Sequence, residues 1–250
     1  MSSRPPGRLA ELLAVFTAPY RPPAEMVLLC ALVPFYIFIP QLLDGRTLHR
    51  LALAVDGAIP LVPGWAVVYG SLYLFLIVLP IFLVRDQVEL RNTARAYLTV
   101  WLLAYVVFLA YPTVAARPAE VSGSGFPVAG LRFLYSADTR FNCFPSLHVA
   151  HSFVSAFACR RVHRRVGNVC FGAAALVALS TLFTKQHYVV DVVAGVSLAA
   201  VAAAVFLRPR SIAARGSLEH RVAPMLAGAL ACALALAVGV AWLTYRTVTT

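Results

Sequence analysis

The sequence predicts an all-α, polytopic transmembrane helical bundle, with a six-helix core and one additional span near the C-terminus. Hydrophobic residues make up 61% of the 250 positions and charged residues only 12%. The mean hydropathy is +0.81. Long apolar runs also recur along the chain, separated by short stretches rich in Pro, Gly and Arg. One water-soluble core cannot enclose that much apolar surface, so the solvent around the helices is lipid. The chain reads as a single integral membrane domain over residues 1–250, with no internal repeat.

Residues 1–25 combine Arg4, Arg8, Arg21 and several prolines with Leu9, Leu12, Leu13 and Phe16 at helical spacing, which predicts a short interfacial helix. The apolar run that follows lacks a small-residue cleavage site, so it is expected to stay as an uncleaved first span. Spans are predicted near 26–43, 64–84, 96–111, 144–160, 167–184, 187–207 and 222–245, the last being the additional one. Between the first two, Thr47 to Pro63 carries Leu48, Leu51, Val55 and Ile59 but is interrupted at Asp56-Gly57, Pro60 and Pro63. It is expected to lie along the membrane surface. The connection from Pro112 to Asn142, with Gly123, Gly125, Phe126 and Pro127, is longer than an ordinary loop and is expected to be an extracytoplasmic lid. The alanine-rich final spans suit close helix contact.

The formal charge is +11. The basic residues are spread through the interhelical connections and form no aromatic-interleaved patch, so no nucleic-acid partner is expected. Their distribution follows membrane topology instead. With the N-terminus in the cytoplasm, 14 of the 21 fall on the cytoplasmic side, including Arg160, Arg161, Arg164 and Arg165, and seven on the other. That quartet, which surrounds His163, reads as a topology determinant or an anionic-lipid contact. Near-exclusive use of Arg with abundant Ala matches a high-GC bacterial genome, so the expected location is the plasma membrane. The five cysteines form neither a disulfide framework nor a zinc spacing.

Two stretches carry readable chemistry. In Ser180-Thr181-Leu182-Phe183-Thr184-Lys185-Gln186-His187-Tyr188-Val189-Val190-Asp191, the histidine and the aspartate are four residues apart at the start of an apolar run. On a helix they share one face, where a carboxylate can hold an imidazole. In Phe144-Pro145-Ser146-Leu147-His148 a second histidine stands beside a helix N-terminus, a natural anion site. The topology puts His148, His187 and Arg117 on one extracytoplasmic face. A histidine at a span end is, taken alone, more often an interfacial anchor, and Arg117 or Lys185 alone could simply face water or headgroups. The convergence of three distant stretches favours a shared site. His151, three residues after His148, raises a metal reading, but packing is more ordinary there and no metal is expected. Asp138 and Arg140 read as solvated loop residues.

These two stretches resemble the second and third signatures of the type 2 phosphatidic acid phosphatase superfamily of membrane enzymes, P-S-G-H and S-R-x5-H-x3-D. The matches fall on Pro145, Ser146 and His148, and on Ser180, His187 and Asp191; Leu147 stands for the Gly and Thr181 for the Arg. The first signature, K-x6-R-P, survives as Arg117-Pro118, with Ala110 at the Lys position. Pro-Ser-Leu-His and His-Tyr-x-x-Asp look like the phosphotransferase branch that includes inositol phosphorylceramide synthases. The resemblance covers about residues 65–207, the expected catalytic core.

It implies an enzyme that cleaves a lipid phosphoester without metal or other cofactor and passes the phosphoryl headgroup to an alcohol. His187 would be the nucleophile, Asp191 its partner and His148 the acid and base, with Arg117, Ser146 and Lys185 on the substrate phosphate. The alternative is a lipid phosphate phosphatase acting on phosphatidate or a polyprenyl phosphate, with water as acceptor. A non-enzymatic transporter-like bundle is disfavoured by the lack of paired, interrupted midplane helices.

Overall fold

The computed structural model describes residues 7–17, 20–208 and 218–249. Along the chain run α1 (Arg8–Thr17), α2 (Ala24–Phe38) continued by a 3₁₀ turn (Ile39–Leu43), α3 (Ala54–Ala58), α4 (Trp65–Leu83), α5 (Gln87–Ala110), α6 (Phe126–Ala137), α7 (Leu147–Val162), α8 (Arg164–Phe183), α9 (Val189–Phe206) and α10 (Leu218–Thr249). Six of these are long and apolar enough to cross a membrane: α2 with its 3₁₀ turn, α4, α5, α8, α9 and α10. The protein is an all-α integral membrane bundle.

The central one of the seven predicted spans is short in the structure. Helix α7 has 16 residues and is about 24 Å long at 1.5 Å per residue, less than the roughly 30 Å hydrocarbon thickness. Eleven of its residues are buried, and it packs against α4, α5, α8 and α9. A helix enclosed by neighbours rather than lipid is free to carry His151, Ser152 and Ser155 inside the bundle. Helices α2 and α10 lie outside this core and are mostly exposed, as lipid-facing spans would be.

Several boundaries differ from the sequence expectation. Helix α5 starts at Gln87 rather than near 96, because the Asp86 carboxylate accepts from Val88 N–H (3.0 Å) and Glu89 N–H (2.9 Å) and caps two further turns. Those turns hold Glu89, Arg91 and Arg95, whose charge hid them from an apolar-run reading. Arg95 pairs with Glu25 at 3.0 Å and Arg161 with Glu89 at 2.6 Å, tying α5 to α2 and α7. The expected loop 112–142 contains α6, which packs on α4. The interruption expected at Asp56-Gly57 is absent, since both residues lie within α3. The predicted N-terminal helix is present as α1 and packs against α10. Of the arginines used to orient the chain, Arg4, Arg210 and Arg215 lie outside the described residues.

Candidate active site

One close helix crossing brings the two sequence motifs together. A Cβ on Gly195 of α9 would lie 2.6 Å from the Ser146 carbonyl oxygen and 3.2 Å from Val149 Cβ, so only glycine lets α9 sit this near the start of α7. The contact is sealed by Ser146 N–H donating to the Asp191 carbonyl at 3.0 Å. The Ser146 hydroxyl accepts from Val149 N–H at 3.4 Å as the helix cap. The Ser146 hydroxyl and N–H, expected on the substrate phosphate, are thus engaged in the helix cap and in the contact with α9.

The second motif is presented by the end of α8. Lys185 N–H donates to Leu182 C=O (3.1 Å) and Gln186 N–H to Thr181 C=O (2.8 Å), the paired bonds of a Schellman closure. Lys185 takes the left-handed position with φ 55°, where glycine is usual. Its ammonium donates to the backbone carbonyls of Asp56 (3.1 Å) and Ile59, so it is anchored on α3. The Asp56 carboxylate accepts from Leu53 N–H at 2.7 Å and from Val189 N–H, at the start of α9, at 2.9 Å. Segment 47–63 is therefore docked under the turn that carries His187. Thr181, at the family's Arg position, is fully buried and its hydroxyl donates within α8 to Ala178 C=O.

Four side chains then form a row. Asp138 Oδ2 lies 3.9 Å from His148 Nε2, His148 Nδ1 lies 3.5 Å from His187 Nε2, and His187 Nδ1 lies 3.5 Å from Asp191 Oδ2. Asp191 Oδ2 also accepts from Tyr188 N–H at 2.9 Å, which fixes the carboxylate at the mouth of α9. The His187 side chain is 4% exposed and that of Asp191 not at all. Of the seven buried side-chain N and O atoms without a hydrogen-bond partner among the described residues, five lie here: Arg117 Nε, Asn142 Oδ1, Gln186 Nε2, His187 Nδ1 and Asp191 Oδ1. Buried polar atoms are normally satisfied, so this concentration sets the region apart from the rest of the described core.

Arg117 reaches the row from the connection after α5. Its guanidinium donates to the carbonyls of Asp138 (2.7 Å) and Thr139 (2.6 Å) and to Gln186 Oε1, and stands 3.6 Å from the Asp138 carboxylate. Tyr36 OH donates to Asp138 Oδ1 at 3.0 Å. The rings of Tyr36, Tyr69 and Tyr73 surround His148 with centroids 6.0, 5.4 and 5.0 Å away. Tyr188 OH accepts from Ala116 N–H, and Tyr135 OH donates to Thr184 C=O. Burial pushes the Tyr188 hydroxyl pKa up and that of Tyr135 up to about 12, so both stay protonated as hydrogen-bonding struts. Burial also pushes up the thiol of Cys143, which donates to Arg140 C=O at 3.2 Å.

Arg117, Ser146, His148, His187 and Asp191 thus converge, while the Lys185 ammonium is turned to α3. Asp138 is no solvated loop residue, since it stands in the row with its side chain 13% exposed. Its sequence signal was scarcity: it is one of ten acidic residues in the chain, ten positions before His148. Gln186 and the three tyrosines carried no motif. His151 accepts from Trp101 Nε1–H at 3.3 Å and stacks on Tyr97, the packing role expected of it. The cavity beside His187, lined also by Asp56, Lys185 and Tyr188, is about 20 Å³, room for a water rather than a tetrahedral anion.

No curated protein and no solved structure matches the chain. A family model described as the PAP2 superfamily matches residues 39–205, from the 3₁₀ turn to the end of α9, and takes in every residue of the row. With well over half of its length matched and both histidines inside the match, the chain belongs to the PAP2 superfamily, a family of phosphoester phosphatases and phosphotransferases.

Proposed function

We propose that the protein is a lipid phosphotransferase that moves a phosphoryl headgroup from a lipid phosphoester to an alcohol through a phosphohistidine on His187. The observation that carries this reading is the row Asp138, His148, His187, Asp191, with the two imidazole nitrogens 3.5 Å apart. His187 Nε2 faces His148, and Nδ1 faces Asp191. Nε2 attacks phosphorus, the bond from phosphorus to the lipid oxygen breaks, and His148 gives its proton to the departing alkoxide. Asp191 holds the Nδ1–H tautomer of His187 and balances the charge on the ring. In the second half-reaction His148 takes the proton of the incoming alcohol, whose oxygen attacks the phosphohistidine and restores His187. Arg117 supplies positive charge beside the phosphoryl oxygens, and its Nε is the donor without a protein partner.

An attacking nitrogen about 3–3.5 Å from phosphorus, with the acid about 2.6–3.2 Å from the leaving oxygen, requires the two histidine nitrogens to stand roughly 6 Å apart or more. Substrate entry therefore parts the rings, and His148 swings towards Asp138. Asp138 is the positioning residue that receives it. Ser146 acts as the cap that fixes the start of α7, and Lys185 as the anchor of the 184–188 turn.

The resemblance of Pro-Ser-Leu-His and His-Tyr-x-x-Asp to the phosphotransferase branch, and the absence of an arginine at 181, support an alcohol as acceptor over water. The excess of arginine at the opposite end of the bundle supports a cytoplasmic N-terminus and a site on the extracytoplasmic face of the plasma membrane. Among the described residues no group of three or more His, Cys, Asp or Glu is arranged to hold a metal, and the proposed chemistry uses none.

The test is to incubate purified protein with radiolabelled lipid phosphoesters, with and without an alcohol acceptor, and to separate free phosphate from new phospholipid. Quenching in alkaline detergent, in which phosphohistidine is stable, should trap label on the parent protein that H187A loses. Label on H187A, or near-normal turnover by it, overturns the assignment. Release of free phosphate alone in the presence of acceptors selects the phosphatase instead. Activity should survive strong chelators.

A further inference from the structure

A large cavity lies far from the imidazoles. His148 lies in the first turn of α7 and Arg160 in its last, 12 residues and about 18 Å further along the helix. There, where the C-terminal ends of α7 and α9 meet the start of α8, a cavity of about 670 Å³ is lined by Arg160, Arg161, Arg164 and Arg208 together with Phe157 and the alanines of α9.

The four arginines are not equivalent. Arg161 is matched by Glu89 through bonds of 2.6 and 3.3 Å. Arg160, Arg164 and Arg208 have no carboxylate partner among the described residues, and the cavity lining contains no acidic residue. Arg160 stands over the Phe171 ring at 5.8 Å, and Arg208 Nε donates to Ala204 C=O at 2.8 Å. Both guanidiniums are thereby held at the cavity with donors to spare, since each guanidinium carries five. The rest of the lining along α9 is apolar and built of small side chains: Ala200, Ala203 and Ala204 leave a trough beside Val201 and Val205, which are exposed.

A cationic rim over an apolar trough, at the end of membrane-spanning helices, is complementary to an amphiphile with an anionic head. A soluble anion would use the rim and leave the trough in contact with water. Guanidinium groups match the two-oxygen face of a phosphodiester, and basic residues near a membrane surface attract anionic lipid. From this geometry we infer that the cavity is a second, non-catalytic lipid site, which holds one anionic phospholipid of the leaflet at that end by its phosphodiester, with an acyl chain along the alanine face of α9. The inference does not depend on the reaction proposed above.

The test is native mass spectrometry of the delipidated, full-length protein in detergent, titrated with phosphatidylglycerol or phosphatidylcholine of identical chains. One phosphatidylglycerol should bind at least tenfold more tightly than phosphatidylcholine. The combined variant R160Q/R164Q/R208Q should lose that preference, while R91Q/R95Q, which removes two basic side chains paired with Glu25, should keep it. If the triple variant is not monodisperse, R164Q and R208Q are read singly, each lowering the preference severalfold. Equal binding of the two lipids, an unchanged preference in the arginine variants, an equal loss in R91Q/R95Q, or displacement of the lipid by millimolar glycerol phosphate would each overturn the inference.

Discussion

The carboxylate of Asp138 stands 3.9 Å from Nε2 of His148, across the ring from His187, which is 3.5 Å from Nδ1. His148 therefore lies between a carboxylate and an imidazole, just as His187 lies between His148 and Asp191. The two histidines have matching environments, and only one of the two carboxylates belongs to a recognisable motif.

If Asp138 positions His148, then D138N should lower kcat by roughly ten- to hundredfold while KM changes little, since an interaction used in the transition state is lost. D138E should recover part of the rate. A merely structural Asp138, holding Tyr36 and Arg117, would instead lower the active fraction and the unfolding temperature and leave kcat per active molecule unchanged. Steady-state kinetics with active-site titration, set beside a thermal melt, separates the two.

Gly195 is the most sensitive small residue of the site. In G195A the new methyl meets the Ser146 carbonyl oxygen at 2.6 Å, a backbone atom that cannot turn aside. Helix α9 must shift, at a cost of about 1–3 kcal/mol as for other overpacked sites. Asp191 and His187 shift with it, so activity should fall more steeply than stability. G172A, on α8, whose added methyl meets nothing within 4 Å, is the matched control and should melt like the parent. Thermal unfolding in detergent and turnover on the same preparations check both.

The spans and the two histidine motifs were legible because lipid imposes long apolar runs and because catalysis at a span end leaves polar residues where apolar ones are expected. The turns of α5 before residue 96 were not, since Glu89, Arg91 and Arg95 face partners on other helices. Nor was α6, whose 12 residues are too few and too mixed to stand out in a connecting segment. At the site, spacing linked His187 to Asp191, although His187 lies in the turn just before α9 and only Asp191 is on the helix. Asp138, Gln186 and the tyrosines reach His148 and Arg117 only through tertiary contacts, which no local spacing encodes. The contact of Lys185 with α3 was hidden for a related reason: a cation near a candidate nucleophile reads as a phosphate ligand, and nothing local reveals that α3 carbonyls lie within its reach.

His163 gives the fold a pH dependence away from the site. It lies between α7 and α8, accepts Val166 N–H on Nδ1 at 3.2 Å as the cap of α8, and stands 4.7 Å from the His220 ring. Burial, with His220 and Arg165 nearby, pushes its pKa below the usual value. In acid the unfolded chain therefore binds this proton before the folded one does. Stability is fully present above the ordinary histidine pKa of about 6.5 and falls as pH drops below it. H163N, which keeps a good N-cap without a titrating ring, should flatten that fall below about pH 6.5. Melting temperatures of the two proteins across that interval provide the check, and parallel curves would remove His163 as the cause.

Lys185 separates a structural cation from a phosphate ligand. Its backbone sits in the left-handed region at φ 55°, which costs an L-residue roughly 1–2 kcal/mol, and its ammonium offsets that by joining the 184–188 turn to α3. K185A loses the anchor and keeps the strain; K185G loses the anchor and relieves it. K185G should thus melt above K185A, by a difference equivalent to about 1 kcal/mol, the usual advantage of glycine in this conformation. If the ammonium bound substrate phosphate, backbone relief would not matter: both variants would raise KM alike, by the tenfold or more expected for loss of a charged hydrogen bond. The anchor reading predicts that their KM values stay near that of the parent, while kcat follows the order of stability, because His187 is carried on the turn that Lys185 secures. Measuring KM, kcat and unfolding for the two variants side by side decides between these roles, since only a phosphate ligand would show equal KM defects in proteins of unequal stability.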